Sequence, residues 1–136
     1  PRPSREERRG GGEAAAPIIM AWTDYSSAPA PGTRVCAATR ITDVHPLTVT
    51  TDRGSFPMIV LRDGDVLRAY VNACPHQYLP LDYRGDTLLS ADGLRLLCTA
   101  HGASFDKSTG SVVAGAECGL DAVPIMQQGD HIVIAP

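Results

Sequence analysis

The sequence contains no long apolar run: nowhere in its 136 residues do 18 or more hydrophobic residues follow one another, which excludes a helical membrane span. A basic surplus is also missing. Twelve Lys and Arg stand against 15 Asp and Glu, for a net charge of −3. A mildly acidic balance of this kind argues against a nucleic acid partner. Aromatic residues make up only 5% of the chain, with one Trp and two Phe, against 43% hydrophobic residues in all. At this length such a composition supports a single domain with one core rather than two. Sustained helical periodicity is absent as well, which removes the helical bundles.

The first 31 residues differ from the rest. Pro1 to Pro31 is rich in Pro, Gly and Ala, and carries Arg2, Arg5, Arg8 and Arg9 against Glu6, Glu7 and Glu13. This composition predicts a disordered N-terminal tail over 1–31 and a folded domain over 32–136. Four arginines against three glutamates leave the segment through Ile19 at +1 and the remainder at −4, too small a charge to single out a partner. The apolar piece Ala14 to Trp22 is interrupted by Pro17 and is too weak for a signal-peptide core, and Arg8-Arg9 lacks the apolar run that follows in an export signal. Met20 is read as the natural start, and a cytoplasmic location is expected, with no membrane attachment.

Short strands joined by turns run through residues 32–136. Arg34–Ala38, Leu47–Thr50, Phe56–Leu61 and Val66–Val71 are rich in β-branched and apolar residues, and Arg62-Asp63-Gly64-Asp65 reads as the hairpin turn between the last two. Asp92-Gly93 is expected to join Thr87–Leu89 to Leu94–Leu97 as a second hairpin, and Gly129-Asp130 to join Ala122–Met126 to Ile132–Ile134, with Val112-Val113 as a further short strand. The fold class is all-β. His45 reads as a turn residue before Pro46 and His131 as a strand-edge residue. Cys36 reads as a small buried hydrophobe and Cys118 as a turn residue, with a Cys36–Cys118 disulfide open on count alone.

Half of the eight Cys and His residues lie in two short boxes, Cys74-Pro75-His76 and Cys98-Thr99-Ala100-His101. Together they have the composition of a Cys₂His₂ metal site. The order Cys, His, Cys, His mixes a soft and a harder ligand in each box, whereas an ordinary zinc finger separates its cysteines from its histidines. Two metals shared between the boxes, the cysteines on one and the histidines on the other, suit this order; a zinc site on the same four residues is the alternative, and colour distinguishes the two.

The sequence around the boxes resembles the Rieske [2Fe–2S] domain in its small ferredoxin form. Pro80-Leu81 follows the first box. Gly102-Ala103-Ser104-Phe105-Asp106 follows the second, and Thr109-Gly110, Gly115, Leu120, Val123 and Pro124 continue the likeness. The resemblance covers about residues 33 to 136. The 21 residues from 77 to 97 make the spacing longer than is usual in such ferredoxins, Gln77-Tyr78-Leu79 replaces a segment that commonly has a central Gly, and Ala116 stands where a Gly-Pro step is typical. What the resemblance implies is a basal antiparallel β-sandwich or barrel carrying a small cluster-binding lobe at about 72–108. A [2Fe–2S] cluster would be held by Cys74 and Cys98 on a buried inner iron and by His76 and His101 on an outer iron near solvent. Tyr78 and Tyr83 would pack over the cluster or contribute to a docking surface. Pro75 would fix one loop, and Gly102 would let backbone amides approach the cluster sulfurs.

Neutral imidazoles in place of two thiolates raise the potential of such a centre to about −150 to +300 mV, against about −400 mV for four-Cys plant-type clusters. High-potential respiratory relatives carry Ser and Tyr where this chain has Ala103 and Phe105, and loop cysteines where it has Leu79 and Ala100. With those hydroxyl donors missing, the low end of the range is expected. The resemblance therefore implies a one-electron carrier between a reductase and a terminal oxygenase or similar acceptor, itself not an enzyme and acting as a monomer or as a component of a complex. The mononuclear iron site of a Rieske oxygenase needs a second domain, which these 136 residues do not supply. An electron-transfer subunit of a larger enzyme, such as a nitrite reductase small subunit or a respiratory or arsenite-oxidase Rieske subunit, and a zinc-binding module are the alternatives.

Overall fold

The computed structural model describes residues 21–75, 79–100 and 102–136. Among these residues nine strands form three antiparallel sheets of three strands each. In chain order they are β1 (Arg34–Ala37), β2 (Val44–Thr51), β3 (Gly54–Asp63), β4 (Val66–Val71), β5 (Arg95–Leu97), β6 (Ser104–Asp106), β7 (Val112–Ala114), β8 (Ile125–Gln128) and β9 (His131–Ile134). The sheets run β1-β9-β8, β2-β3-β4 and β5-β6-β7. Two single-turn 3₁₀ helices, Trp22–Asp24 and Ala38–Arg40, are the helical elements among the described residues. No helix there is long and apolar enough to cross a membrane.

The middle sheet positions everything else, and strand periodicity explains how. Successive residues of a strand point to opposite faces. In β3, Phe56, Met58 and Val60 face one way and join Val49, Ala69, Val71, Ile132 and Ile134 in a basal core. Ile59 and Leu61 face the other way and join Tyr70, Leu81, Leu88, Leu96, Ala103, Phe105 and Leu120 in a second core under the lobe. The four consecutive residues Met58–Leu61 are all fully buried, the pattern of a strand covered on both faces. The single core expected from composition is thus two buried clusters separated by one sheet. Scarce aromatics suffice because Phe56 and Phe105, both fully buried, serve one cluster each.

Two of the expected hairpins form as read. Asp63 pairs with Val66 around Gly64-Asp65, with Gly64 at φ +63°, and Gln128 pairs with His131 around Gly129-Asp130. Other elements differ from expectation. The segment Thr87–Leu89 pairs with β5 only briefly and forms no full strand: Leu89 bridges Leu96, Leu97 N–H donates to Leu88 O at 2.9 Å and Ser90 N–H to Arg95 O at 3.0 Å, and the Asp92-Gly93 turn between them is tied by side chains. There Leu94 N–H donates to Asp92 Oδ1 and Arg95 N–H to Ser90 Oγ. The Ser90 hydroxyl and the Leu94 amide hold the Asp92 carboxyl below its usual range. Strand β8 starts at Ile125 rather than Ala122, after Pro124, which has no N–H for a ladder. His45 lies inside β2, paired with Val60, and not in a turn. Sheet order leaves β2 at an edge, where the neighbouring Pro46 is tolerated.

Residues 1–20 of the expected tail lie outside the described residues. Downstream of them, Trp22 and Tyr25 pack on the basal core, edge-on to Phe56 at ring-centroid distances of 6.1 and 5.8 Å, and Ala28 is buried. The packed fold therefore begins upstream of residue 32. Cys36 sits in β1, half-buried against the basal core; burial pushes its thiol pKa up. It is a free thiol, so the Cys36–Cys118 disulfide does not form.

Candidate metal centre

The first box leaves the end of β4. Asn72 is the buried polar residue at that exit, 6% exposed, and its backbone N–H donates to Pro57 O at 3.0 Å. Its side chain is satisfied at both ends. Asn72 Oδ1 accepts from Leu81 N–H at 2.7 Å, and Asn72 Nδ2 donates to Asp82 Oδ1 at 3.0 Å. The amide thus bridges the two ends of the loop as a backbone pair would. Within that frame, Cys74 N–H donates to Leu79 O at 2.7 Å and Tyr83 N–H to Pro80 O at 3.0 Å. Cys74 is fully buried.

The second box leaves β5 and returns through β6. Cys98 N–H donates to Ala103 O at 2.8 Å, and Gly102 N–H donates to Cys98 O at 2.9 Å, so the box closes on itself in one tight turn. Gly102 closes it at φ +76°, a conformation that costs other residues about 1–2 kcal/mol. Cys98 is 1% exposed. A third segment backs this turn. Gly115, at φ +82°, lies so close that a Cβ there would fall 2.8 Å from Ala103 Cα. Thr99 joins the two boxes: its N–H and its hydroxyl both donate to Leu81 O, at 2.8 and 2.6 Å, while its oxygen accepts from Arg84 N–H at 3.0 Å.

The far side of the lobe is tied down through polar contacts with the middle sheet. Tyr70 Oη donates to Lys107 O at 2.8 Å, and burial pushes the phenol pKa up to about 12. Ser108 Oγ and Arg68 Nε both donate to Asp63 Oδ2, at 2.6 and 2.9 Å. The Ser108 hydroxyl, then Arg68, hold the Asp63 carboxyl below its usual range.

Of the four residues assigned to the metal by sequence, the structure brings Cys74 and Cys98 into one buried cluster with Leu81, Ala103 and Phe105. His76 and His101 lie outside the described residues, as do Gln77 and Tyr78. Among the described residues no group of three or more His, Cys, Asp or Glu side chains could hold a metal ion. Tyr83 is 58% exposed, which places it at the surface rather than in the lobe core. Cys118 lies between β7 and β8, half-buried in a bend. Two sulfur donors buried together, on loops closed by their own backbone hydrogen bonds and walled by apolar side chains, fit a sulfur-rich iron cluster, whose thiolate side needs shielding from water. Asn72 and Thr99 were not singled out by sequence; a polar residue two places before the first Cys and one place after the second is their sole signal.

The fold recurs in known structures. The ferredoxin of carbazole 1,9a-dioxygenase from Nocardioides aromaticivorans is 27% identical, with a TM-score of 0.62 over 79% of this chain and 99% of that one. A ferredoxin from Sphingomonas yanoikuyae shares the fold at 23% identity and a TM-score of 0.61, over 77% and 98%. The terminal oxygenase of carbazole 1,9a-dioxygenase from Nocardioides aromaticivorans shares it at 15% identity and a TM-score of 0.58, over 76% of this chain but 29% of that chain. No curated protein matches the chain. The model for the Rieske [2Fe–2S] domain matches residues 33–124, a span that begins just before β1, includes both boxes and ends before β8. With both cysteines buried in the one cluster under the lobe, this match shows that the chain belongs to the Rieske [2Fe–2S] domain family.

Proposed function

We propose that the chain is a Rieske-type ferredoxin that carries one electron at a time in the cytoplasm from a reductase to a terminal oxygenase or similar acceptor. The observation that carries this reading is the likeness to a dioxygenase ferredoxin over 99% of that protein's length. As a family member the chain takes a [2Fe–2S] cluster, and we assign Cys74, His76, Cys98 and His101 to hold it. When bound, the cluster accepts and releases one electron, at a potential raised by its neutral imidazole ligands.

The chain's own residues set the conditions for that exchange. Cys74 and Cys98 supply the thiolates from a site walled by Leu81, Leu96 and Phe105, all fully buried, so water is kept from the sulfur side. Both cysteine amides are engaged by loop carbonyls. Each cysteine's backbone is thereby pinned, which keeps the reorganisation of the thiolate side that accompanies a change of charge small. Ala103 and Phe105 place a methyl group and a phenyl ring where hydroxyl donors would stabilise the reduced state, which supports a potential at the low end of the Rieske range. The exposed Tyr83 ring, at the edge of the first loop, offers a partner an apolar contact with a polar tip.

Voltammetry on anaerobically purified holoprotein, with the electron paramagnetic resonance spectrum of the reduced form, tests the assignment. A Rieske spectrum with a low-potential wave, and rapid oxidation of the reduced protein by an oxygenase, is the expected result. A wave hundreds of millivolts higher would move the reading to a respiratory-type subunit. A colourless protein with no wave would sink it.

A further inference from the structure

We infer that Thr99 is the positioning residue that sets the spacing of the two ligand loops; the inference rests on the reading of Cys74 and Cys98 as cluster ligands. Three hydrogen bonds converge on this one side chain and its amide. Thr99 N–H and Thr99 Oγ1 both donate to Leu81 O, and Thr99 Oγ1 accepts from Arg84 N–H. The hydroxyl therefore uses its proton on the Leu81 carbonyl and a lone pair on the Arg84 amide, three residues further along the same turn.

Leu81 is the hub of a longer chain of contacts. It is fully buried, its N–H is taken by Asn72 Oδ1 and its carbonyl by Thr99. Asn72 lies two residues before Cys74 and Thr99 immediately follows Cys98. The path from one cysteine to the other thus runs through Asn72, Leu81 and Thr99, over a buried hydrogen bond from Leu81 N–H to Asn72 Oδ1 and a partly buried one from the Thr99 hydroxyl to Leu81 O, each stronger than it would be in open water. A cluster has a fixed size, so the distance between the loops that grip it must be fixed in advance. Without the hydroxyl, Arg84 N–H loses its acceptor and Leu81 O one of its donors. The loops then part more readily and the cluster escapes through the opening.

Thr99→Val keeps the size of the side chain and the backbone N–H while deleting the hydroxyl, and Thr99→Ser keeps the hydroxyl. Holoprotein of each is challenged anaerobically with an iron chelator, and cluster loss is followed by visible absorption, with the spectrum of the reduced form recorded alongside. T99V should lose its cluster about tenfold faster than the parent, from the loss of hydrogen bonds at a partly buried hydroxyl, with broadened spectral lines, while T99S should behave like the parent. Equal loss rates in all three proteins, or equally fast loss in T99V and T99S, would overturn the role assigned to the hydroxyl. Hydrogen exchange of the parent holoprotein needs no variant: the Thr99 and Arg84 amides should exchange far more slowly than those of the Gly64 turn, and exchange as fast as that turn would also overturn it. A parent protein that carries no Rieske cluster would instead overturn the functional reading, before any variant is compared.

Discussion

Gly115 offers a quantitative test of how the lobe is held. Replacing it with Ala meets two penalties. The backbone there has φ +82°, which costs an L-residue about 1–2 kcal/mol. The new Cβ would also lie 2.8 Å from Ala103 Cα and 3.2 Å from Ala103 Cβ. Ala103 is fully buried and its carbonyl holds the Cys98 amide, so the atom struck is backbone and cannot swing aside. Overpacking of this kind costs about 1–3 kcal/mol, for a total of roughly 2–5 kcal/mol. Gly64 supplies the control. Its φ is +63°, and a Cβ there meets nothing within 4 Å, so Gly64→Ala incurs the backbone term alone. For a domain of this size about 4 °C of melting temperature corresponds to 1 kcal/mol. Gly115→Ala should therefore melt about 4–12 °C below Gly64→Ala, by circular dichroism under identical conditions. It should also bind less cluster, since the displaced Ala103 drags the Cys98 turn with it. Melting temperatures within about 2 °C of each other, with equal cluster content, would refute the close approach.

Phe56→Ala removes the ring that Trp22 and Tyr25 meet edge-on and should cost about 3–5 kcal/mol in urea unfolding; a loss below about 1 kcal/mol would mean that the N-terminal turn does not pack there. The Tyr70 phenol has its pKa raised by burial to about 12, so its contribution to stability is complete below the unfolded value of about 10 and disappears as pH rises through about 12. Urea midpoints should fall across that window in the parent and fall less in Tyr70→Phe; parallel curves would contradict this. The double variant Ala103→Ser with Phe105→Tyr should raise the reduction potential, and no shift would show that these positions do not face the cluster sulfurs. His101→Cys should lower the potential strongly, and an unchanged wave would remove His101 from the ligand set.

The sequence displayed the chemistry of this protein more openly than its packing. Cys74 and Cys98 stand out because thiols repeated with nearby histidines have few structural uses, and the turns at Gly64-Asp65 and Gly129-Asp130 stand out because Gly is needed there. The two-faced burial of β3 was hidden. Phe56–Leu61 reads as an apolar run, and nothing within the run says that alternate residues serve different cores. Strand β6 escaped notice because Ser104–Asp106 is three residues long and lies against the second box, where a ligand motif masks a strand pattern. Composition places Trp22 and Tyr25 in the tail because the surrounding Pro and Ala dominate it, while the contact that holds them is with Phe56, more than thirty residues away. Asn72 and Thr99 carry only the faint signal of a polar residue beside each cysteine: their importance comes from which carbonyls and amides the fold brings opposite them.

Because β3 lends Met58 and Val60 to the base and Ile59 and Leu61 to the lobe, the two halves cannot melt independently without stripping one face of the same strand. Base and lobe should therefore unfold as one cooperative unit. Free energy released when the lobe captures its cofactor is then felt in the base as well, since whatever binds only the native state stabilises the whole of it. A destabilising change beside Trp22, at the opposite side of the sheet from both cysteines, should shorten the lifetime of the bound cluster.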